Sequence, residues 1–121
     1  MKTTQQDRII FKSADLQNAA QGLRFELPQL GEFVSGFIIR FHDKPYAYIN
    51  QCAHVPVELD WNQGEFFTAQ KDYIICATHG ALYQPETGLC VMGPCKGKQL
   101  KPIEVIEQNQ EIIINLSSAI K

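Results

Sequence analysis

Two short segments hold most of the chain's capacity for chemistry. Only four Cys and three His occur, and two of each are grouped as Cys52-Ala53-His54 and Cys76-Ala77-Thr78-His79, twenty-one residues apart. One or two intervening residues bring a thiolate and an imidazole within reach of one metal centre, so each group offers one soft and one borderline ligand. In a chain with no sign of export, such mixed clusters favour a metal site over a disulfide framework. Zinc accepts two Cys and two His, but the common finger pattern puts both Cys in one group and both His in another on a helix. Mixed groups suit two irons better, and a structural zinc-binding module is the competing reading. Buried thiols beside surface imidazoles, with no metal at all, would be the plain one.

The elements that must position these groups read as short strands. Segments rich in Ile, Val, Phe and Tyr alternate with turn residues, the pattern of a small antiparallel all-β protein. Arg8 to Phe11 reads as a first strand, with Ser13 capping one or two helical turns before Gly22. Leu23 to Leu27 is a strand, and Phe37 to Phe41 and Tyr46 to Asn50 make a hairpin around His42-Asp43-Lys44-Pro45 that runs into the Cys52 group. Phe66 to Ala69 and Lys71 to Cys76 form another predicted pair, delivering Cys76 at its end. Leu82 to Cys90 reads as strand, turn, strand, and Gly93-Pro94 opens a loop. Lys101 to Glu107 and Glu111 to Leu116 close the chain as a terminal hairpin, and polar ends suggest short frayed termini. Both metal groups therefore sit just beyond strands, at one end of a sandwich or barrel.

With the groups placed, a resemblance becomes specific. Cys-Ala-His, then Cys-Ala-Thr-His-Gly, then Gly-Pro-Cys resembles the Rieske [2Fe-2S] family, whose pattern is C-x-H followed at variable distance by C-x-x-H. The resemblance covers nearly the whole chain, residues 1–121 read as a single Rieske-type sandwich domain with its cluster-binding loops at one end. It implies one [2Fe-2S] cluster, with Cys52 and Cys76 on one iron and His54 and His79 on the other. Chains of this size in the family are stand-alone ferredoxins, one-electron carriers without a catalytic site of their own. They pass electrons from a reductase to an oxygenase or other redox enzyme. An accessory subunit of a larger redox enzyme would hold the same cluster.

The ligand set has its own consequence. Two ferric ions and two sulfides leave a positive charge that two thiolates cancel, whereas four thiolates would leave the oxidised centre an anion. The electron enters the mixed-ligand centre more easily, one reason such centres span roughly -150 to +300 mV. Departures from high-potential relatives tune this further. Their extra cysteine pair falls at Val57 and Thr78 here, so that disulfide cannot form, and their serine donor falls at Ala81. The low part of the range is expected. Tyr83 matches the family tyrosine; it reads first as a core filler that would tune the site if its hydroxyl reached a ligand sulfur.

Other residues receive plainer readings. Cys90 and Cys95 read first as packed or free thiols, with a disulfide or a redox pair as lesser alternatives. Trp61 reads as a packing anchor between the metal loops, and His42 as solvated surface. Val55, Pro56, Leu82 and Pro94 flank the ligands and would shield them. After the two cluster histidines only His42 is left, too few for the mononuclear iron of an oxygenase, which needs two His and a carboxylate.

Composition narrows the class. At 121 residues and 45% apolar, with twelve aromatics, the chain has material for one core without disulfides. A formal charge of -2 with no block of like charge gives nucleic acid no footing. The longest apolar run, Tyr73 to Ala77, is far below the ~18 residues of a membrane span. The N-terminus has no apolar signal region. A soluble, cytoplasmic monomer is the expectation.

Overall fold

A computed structural model describes residues 3–5, 8–53, 57–60, 62–78 and 80–119. The architecture follows from which strands are apolar on one face and which on both. Strands β1 (Thr3–Gln5), β2 (Arg8–Lys12), β3 (Leu23–Glu26), β4 (Ser35–Phe41), β5 (Lys44–Ile49) and β6 (Ile74–Ile75) come first. β7 (Leu82–Tyr83), β8 (Cys90–Met92), β9 (Pro102–Ile103), β10 (Val105–Gln108) and β11 (Glu111–Asn115) follow. They form antiparallel sheets in the orders β1-β2-β11-β10, β3-β4-β5-β9 and β6-β7-β8. Among the described residues helical structure is confined to single 3-10 turns, and no helix is long and apolar enough to cross a membrane.

The middle sheet is buried on both faces. Side chains alternate across a strand, so Phe37, Ile39 and Phe41 of β4 and Tyr48 of β5 enter one core. Ile38, Ala47 and Ile49 from the same strands enter the other. That explains the near-continuous apolar run of β4, unusual for an antiparallel strand with one wet face. The second core is completed by the first sheet, where Ile9, Phe11, Ile112 and Ile114 point inward while Arg8, Lys12 and Glu111 face water. A one-residue slip in β2 or β11 would expose these side chains, each worth about 1.5 to 3 kcal/mol when buried, so register is tightly specified. The first core carries the short third sheet together with Cys52, Leu59, Cys76, Ala81, Tyr83, Cys90 and Cys95.

The strands differ from expectation at five places. The chain ahead of Arg8 is not simply frayed, since β1 adds an edge strand with Thr4 opposite Ile9. Ser13 lies inside a 3-10 turn preceded by Lys12 instead of capping it. The first hairpin turns on His42-Asp43 alone, both at positive φ (50° and 71°), because Asn18 grips Asp43 through its side chain and its backbone N–H. The Phe66–Ala69 and Lys71–Cys76 pair shrinks to a bridge between Phe67 and Ile74, because Ile74 and Ile75 pair instead with β7. Lys101 to Glu107 also divides at Glu104. Ile103 pairs with Ala47 in the middle sheet, and Val105 with Ile114 in the first.

Candidate metal centre

Two strand ends bring the thiols to one region. β5 ends at Ile49, and Asn50 and Gln51 lead to Cys52, whose N–H donates to Val57 O at 2.8 Å and closes the first loop. β6 ends at Ile75, and the next loop is closed by Cys76 N–H to Ala81 O (2.9 Å) and Gly80 N–H to Cys76 O (2.7 Å). Gly80 takes φ +70°, the left-handed conformation that glycine adopts without strain, and a Cβ there would meet nothing. Backbone conformation, not space, requires the glycine. Cys52 and Cys76 are 4% and 0% exposed in the same apolar cluster.

A polar brace joins the two loops. Leu59 N–H donates to Asn50 Oδ1 at 2.9 Å, and Leu59 O accepts from Ala77 N–H at 2.9 Å. Asn50 Nδ2 in turn donates to Asp60 Oδ1 at 3.0 Å, and Gly64 N–H to Asp60 Oδ2 at 2.9 Å. The Asp60 carboxylate is fully buried, with Arg24 Nη1 at 3.6 Å balancing its charge. Arg24 also holds Glu58, which accepts from Ser35 Oγ at 2.7 Å. The sequence offered no motif for Asn50 or Asp60, since a buried polar residue in a loop looks like any solvated one until its partners are known.

Tyr83 does more than fill the core. It is fully buried, as its place on a strand suggests, but its hydroxyl lies 3.2 Å from Cys52 Sγ, 3.2 Å from Cys95 Sγ and accepts from Ala53 N–H at 3.0 Å. Burial above all, then the contacts with Cys52 and Cys95, pushes its ionisation far above the usual tyrosine range, so the hydroxyl keeps its proton to donate.

A third loop lies over this pair. Gly93 has φ +108°, and a Cβ there would sit 2.8 Å from Ala81 Cα, so the Gly93-Pro94 backbone rests directly on the second loop. Cys90 and Cys95 are buried thiols with sulfurs 2.9 Å apart, in keeping with the packed-thiol reading, and no disulfide forms among the described residues. His42 is exposed, its ring stacked on Phe41.

Among the described residues, no three His, Cys, Asp or Glu side chains converge as a metal ion would require. His54 and His79 lie outside the described residues, as do Val55, Pro56 and Trp61. The family model for the Rieske [2Fe-2S] domain matches residues 9–110. The chain belongs to this family. The Rieske chain resembles the ferredoxin of carbazole 1,9a-dioxygenase from Nocardioides aromaticivorans IC177, at 22% identity and TM-score 0.68 over 93% of this chain and 95% of that one. A chain in a complex of reduced oxygenase and oxidised ferredoxin of carbazole 1,9a-dioxygenase matches with TM-score 0.74 at 21% identity, over 97% and 100%. The terminal oxygenase of carbazole 1,9a-dioxygenase from Novosphingobium sp. KA1 matches with TM-score 0.71 at 22% identity, over 93% of this chain but only 29% of its own. The likeness at these identities is one of fold. No curated protein matches by sequence.

The residues present fit the [2Fe-2S] cluster that defines a Rieske domain. Two thiols stand at strand ends in one apolar region, and a hydroxyl held by Ala53 N–H sits against the first sulfur. Without a donor, a buried thiolate would be costly. With Tyr83 it has one.

Proposed function

We propose that this Rieske domain is a one-electron carrier, taking electrons from a reductase and passing them to an oxygenase or another redox enzyme. The observation that supports this best is the placing of both buried cysteines at strand ends in one core, with the Tyr83 hydroxyl on Cys52. In this reading Cys52 and Cys76 hold one iron of the cluster, and His54 and His79 hold the other. The bound cluster supplies a one-electron couple.

The chain's own residues set the terms of that couple. Tyr83 donates toward Cys52 and favours the more negative, reduced state. Ala81, fully buried under Gly93, offers no hydroxyl where high-potential relatives carry one, which keeps the potential in the low part of the Rieske range. Leu59, bonded through Asn50 and Ala77, holds the two loops in a fixed relation.

The same fold forms less than a third of the matched terminal oxygenase chain, so a Rieske subunit or segment serving a larger enzyme is the second reading. In neither case does this sequence supply a mononuclear iron site, because His42 alone is left after the cluster ligands. We place the carrier in the cytoplasm as a monomer.

The test is direct. Protein purified without air should be red-brown, contain iron and acid-labile sulfide in equal amounts, and give an EPR signal on reduction. It should then relay electrons from a ferredoxin reductase to a Rieske oxygenase that lacks its own donor. A colourless, EPR-silent protein containing zinc would overturn the cluster. A coloured protein that relays nothing until combined with a co-purifying partner would favour the subunit reading.

A further inference from the structure

Two cysteines outside the four proposed ligand positions lie close enough to react with each other, and one of them touches Tyr83. Gly97 N–H donates to Cys90 O (3.1 Å), and Cys90 N–H donates to Lys98 O (2.8 Å), so the turn after β8 folds back on the strand. This returns Cys95 to Cys90, with sulfurs 2.9 Å apart. A further approach of under about 1 Å would make a bond, given a disulfide length near 2.05 Å. Cys95 Sγ is also 3.2 Å from the Tyr83 hydroxyl, which is itself 3.2 Å from Cys52 Sγ.

We propose that Cys90 and Cys95 are a second redox site, a dithiol that exchanges with low-molecular-weight disulfides of the glutathione class, and that Tyr83 relays its state to Cys52. The relay rests on Cys52 holding the cluster. The exchange itself does not.

The exchange balances in two displacements. The thiolate of one cysteine attacks the small disulfide, forming a mixed disulfide and releasing one small thiolate. The second cysteine then attacks the protein-bound sulfur of the mixed disulfide, closing the Cys90–Cys95 bond and releasing the other small thiolate. The protein is oxidised by two electrons, the small disulfide is reduced to two thiols, and the two cysteine protons end on those thiols. Access is through the covering turn. Met92, Gly93, Pro94 and residues 96–99 are exposed, and Gly93 and Gly97 take positive φ, so only this short surface segment must lift. While it is closed, burial first and then Cys95 alongside push the Cys90 thiol up to about 11, so Cys90 keeps its proton.

The direction of the relay follows from counting protons. Tyr83 has one proton to donate, and its oxygen already accepts from Ala53 N–H. In the dithiol, Cys95 has its own proton and two acceptors in reach, Cys90 Sγ and Tyr83 Oη. The tyrosine proton is then left for Cys52. In the disulfide, the Cys95 sulfur has no proton and can only accept, so it competes for the one Tyr83 carries. Cys52 loses part of its hydrogen bond, the reduced cluster is less stabilised, and the midpoint potential falls.

The experiment uses the holoprotein, equilibrated without air across a series of reduced-to-oxidised glutathione ratios. Each sample is acid-quenched, denatured and alkylated, and the thiols are located by peptide mass. Each redox end state is also examined by film voltammetry. The expected result is reversible loss of two alkylation sites, confined to Cys90 and Cys95, with a lower cluster midpoint in the oxidised state. In Tyr83→Phe the disulfide should still form but the midpoint should no longer respond. Cys90→Ser with Cys95→Ser keeps a hydroxyl donor at each position and should hold the dithiol-state midpoint at every ratio. A pair that stays fully alkylatable under the most oxidising buffer, or that oxidises only between chains, overturns the site. An equal midpoint in both states overturns the relay. If no cluster binds at all, the carrier reading falls, while the alkylation result still decides the dithiol.

Discussion

Tyr83→Phe isolates the effect of one hydroxyl on the cluster. The ring is fully buried, so Phe keeps the packing and removes only the oxygen and its proton. Two losses follow. Ala53 N–H, which donates to that oxygen at 3.0 Å, is left without this acceptor in a half-buried site, a stability cost of about 1 to 3 kcal/mol. Cys52 Sγ loses the donor at 3.2 Å. A hydrogen bond to charged sulfur strengthens as the electron arrives, and a difference between the two states of about 1 to 2 kcal/mol, at roughly 59 mV per tenfold for one electron, lowers the midpoint by about 40 to 90 mV. Film voltammetry of parent and variant at one pH is the assay, with iron and sulfide content matched beforehand and the dithiol kept reduced. An unchanged or raised midpoint with intact cluster would mean that the tyrosine proton never serves Cys52. The account of Tyr83 as a tuning residue would then be wrong.

Cys52→Ser or Cys76→Ser should each remove most iron and acid-labile sulfide and lower the melting temperature, since a group bound only by the folded chain stabilises it; full retention of both elements in either variant refutes the ligand assignment. The midpoint should be flat near neutral pH and fall by up to about 59 mV per unit in the alkaline range, where the oxidised form sheds a proton from His54 or His79; voltammetry showing no pH dependence argues against histidine ligation. Glu107 is held below the ordinary carboxylate value of 4.5, chiefly by its hydrogen bonds to Arg40 at 2.9 and 2.5 Å. A carboxylate with a lowered folded pKa stabilises above its unfolded pKa and loses that contribution as pH falls through the folded one. Glu107→Gln should therefore cost on the order of 1 kcal/mol at neutral pH, and denaturant curves for parent and variant should converge as pH falls below 4.5 and through the lowered folded pKa.

The Rieske family and the strand pattern could be read from the sequence because both depend on local order. Cys52 and Cys76 are fixed by their neighbours along the chain, and β4, β5 and β11 by runs of Phe, Ile and Tyr. What escaped were features set by distant partners. The hairpins around His42-Asp43 and Asn109-Gln110 were legible, but not that each turns on two residues alone with left-handed backbone at both. The division at Glu104 depends on two different sheets claiming adjacent residues. Tyr83 read as a core filler because its ring is one, and its second role rests on sulfurs 31 and 12 residues away. Asn50, Asp60 and Arg24 act through a fold-wide meeting that no spacing encodes.

The brace through Leu59 bears on speed as well as on shape. An electron moves at a rate limited partly by how far surrounding atoms must shift to accommodate the new charge, and groups already fixed in place contribute little to that nuclear cost. Here the segment joining the two cysteine loops is tied at Asn50 on one side and at Ala77 on the other, while a buried carboxylate anchors Asn50 itself. Both loops are thus hydrogen-bonded to one and the same residue, Leu59. Asp60→Asn would keep the volume but weaken the anchor, and its signature would be slower self-exchange at a nearly constant potential, a change in the rate of charge movement and not in its driving force.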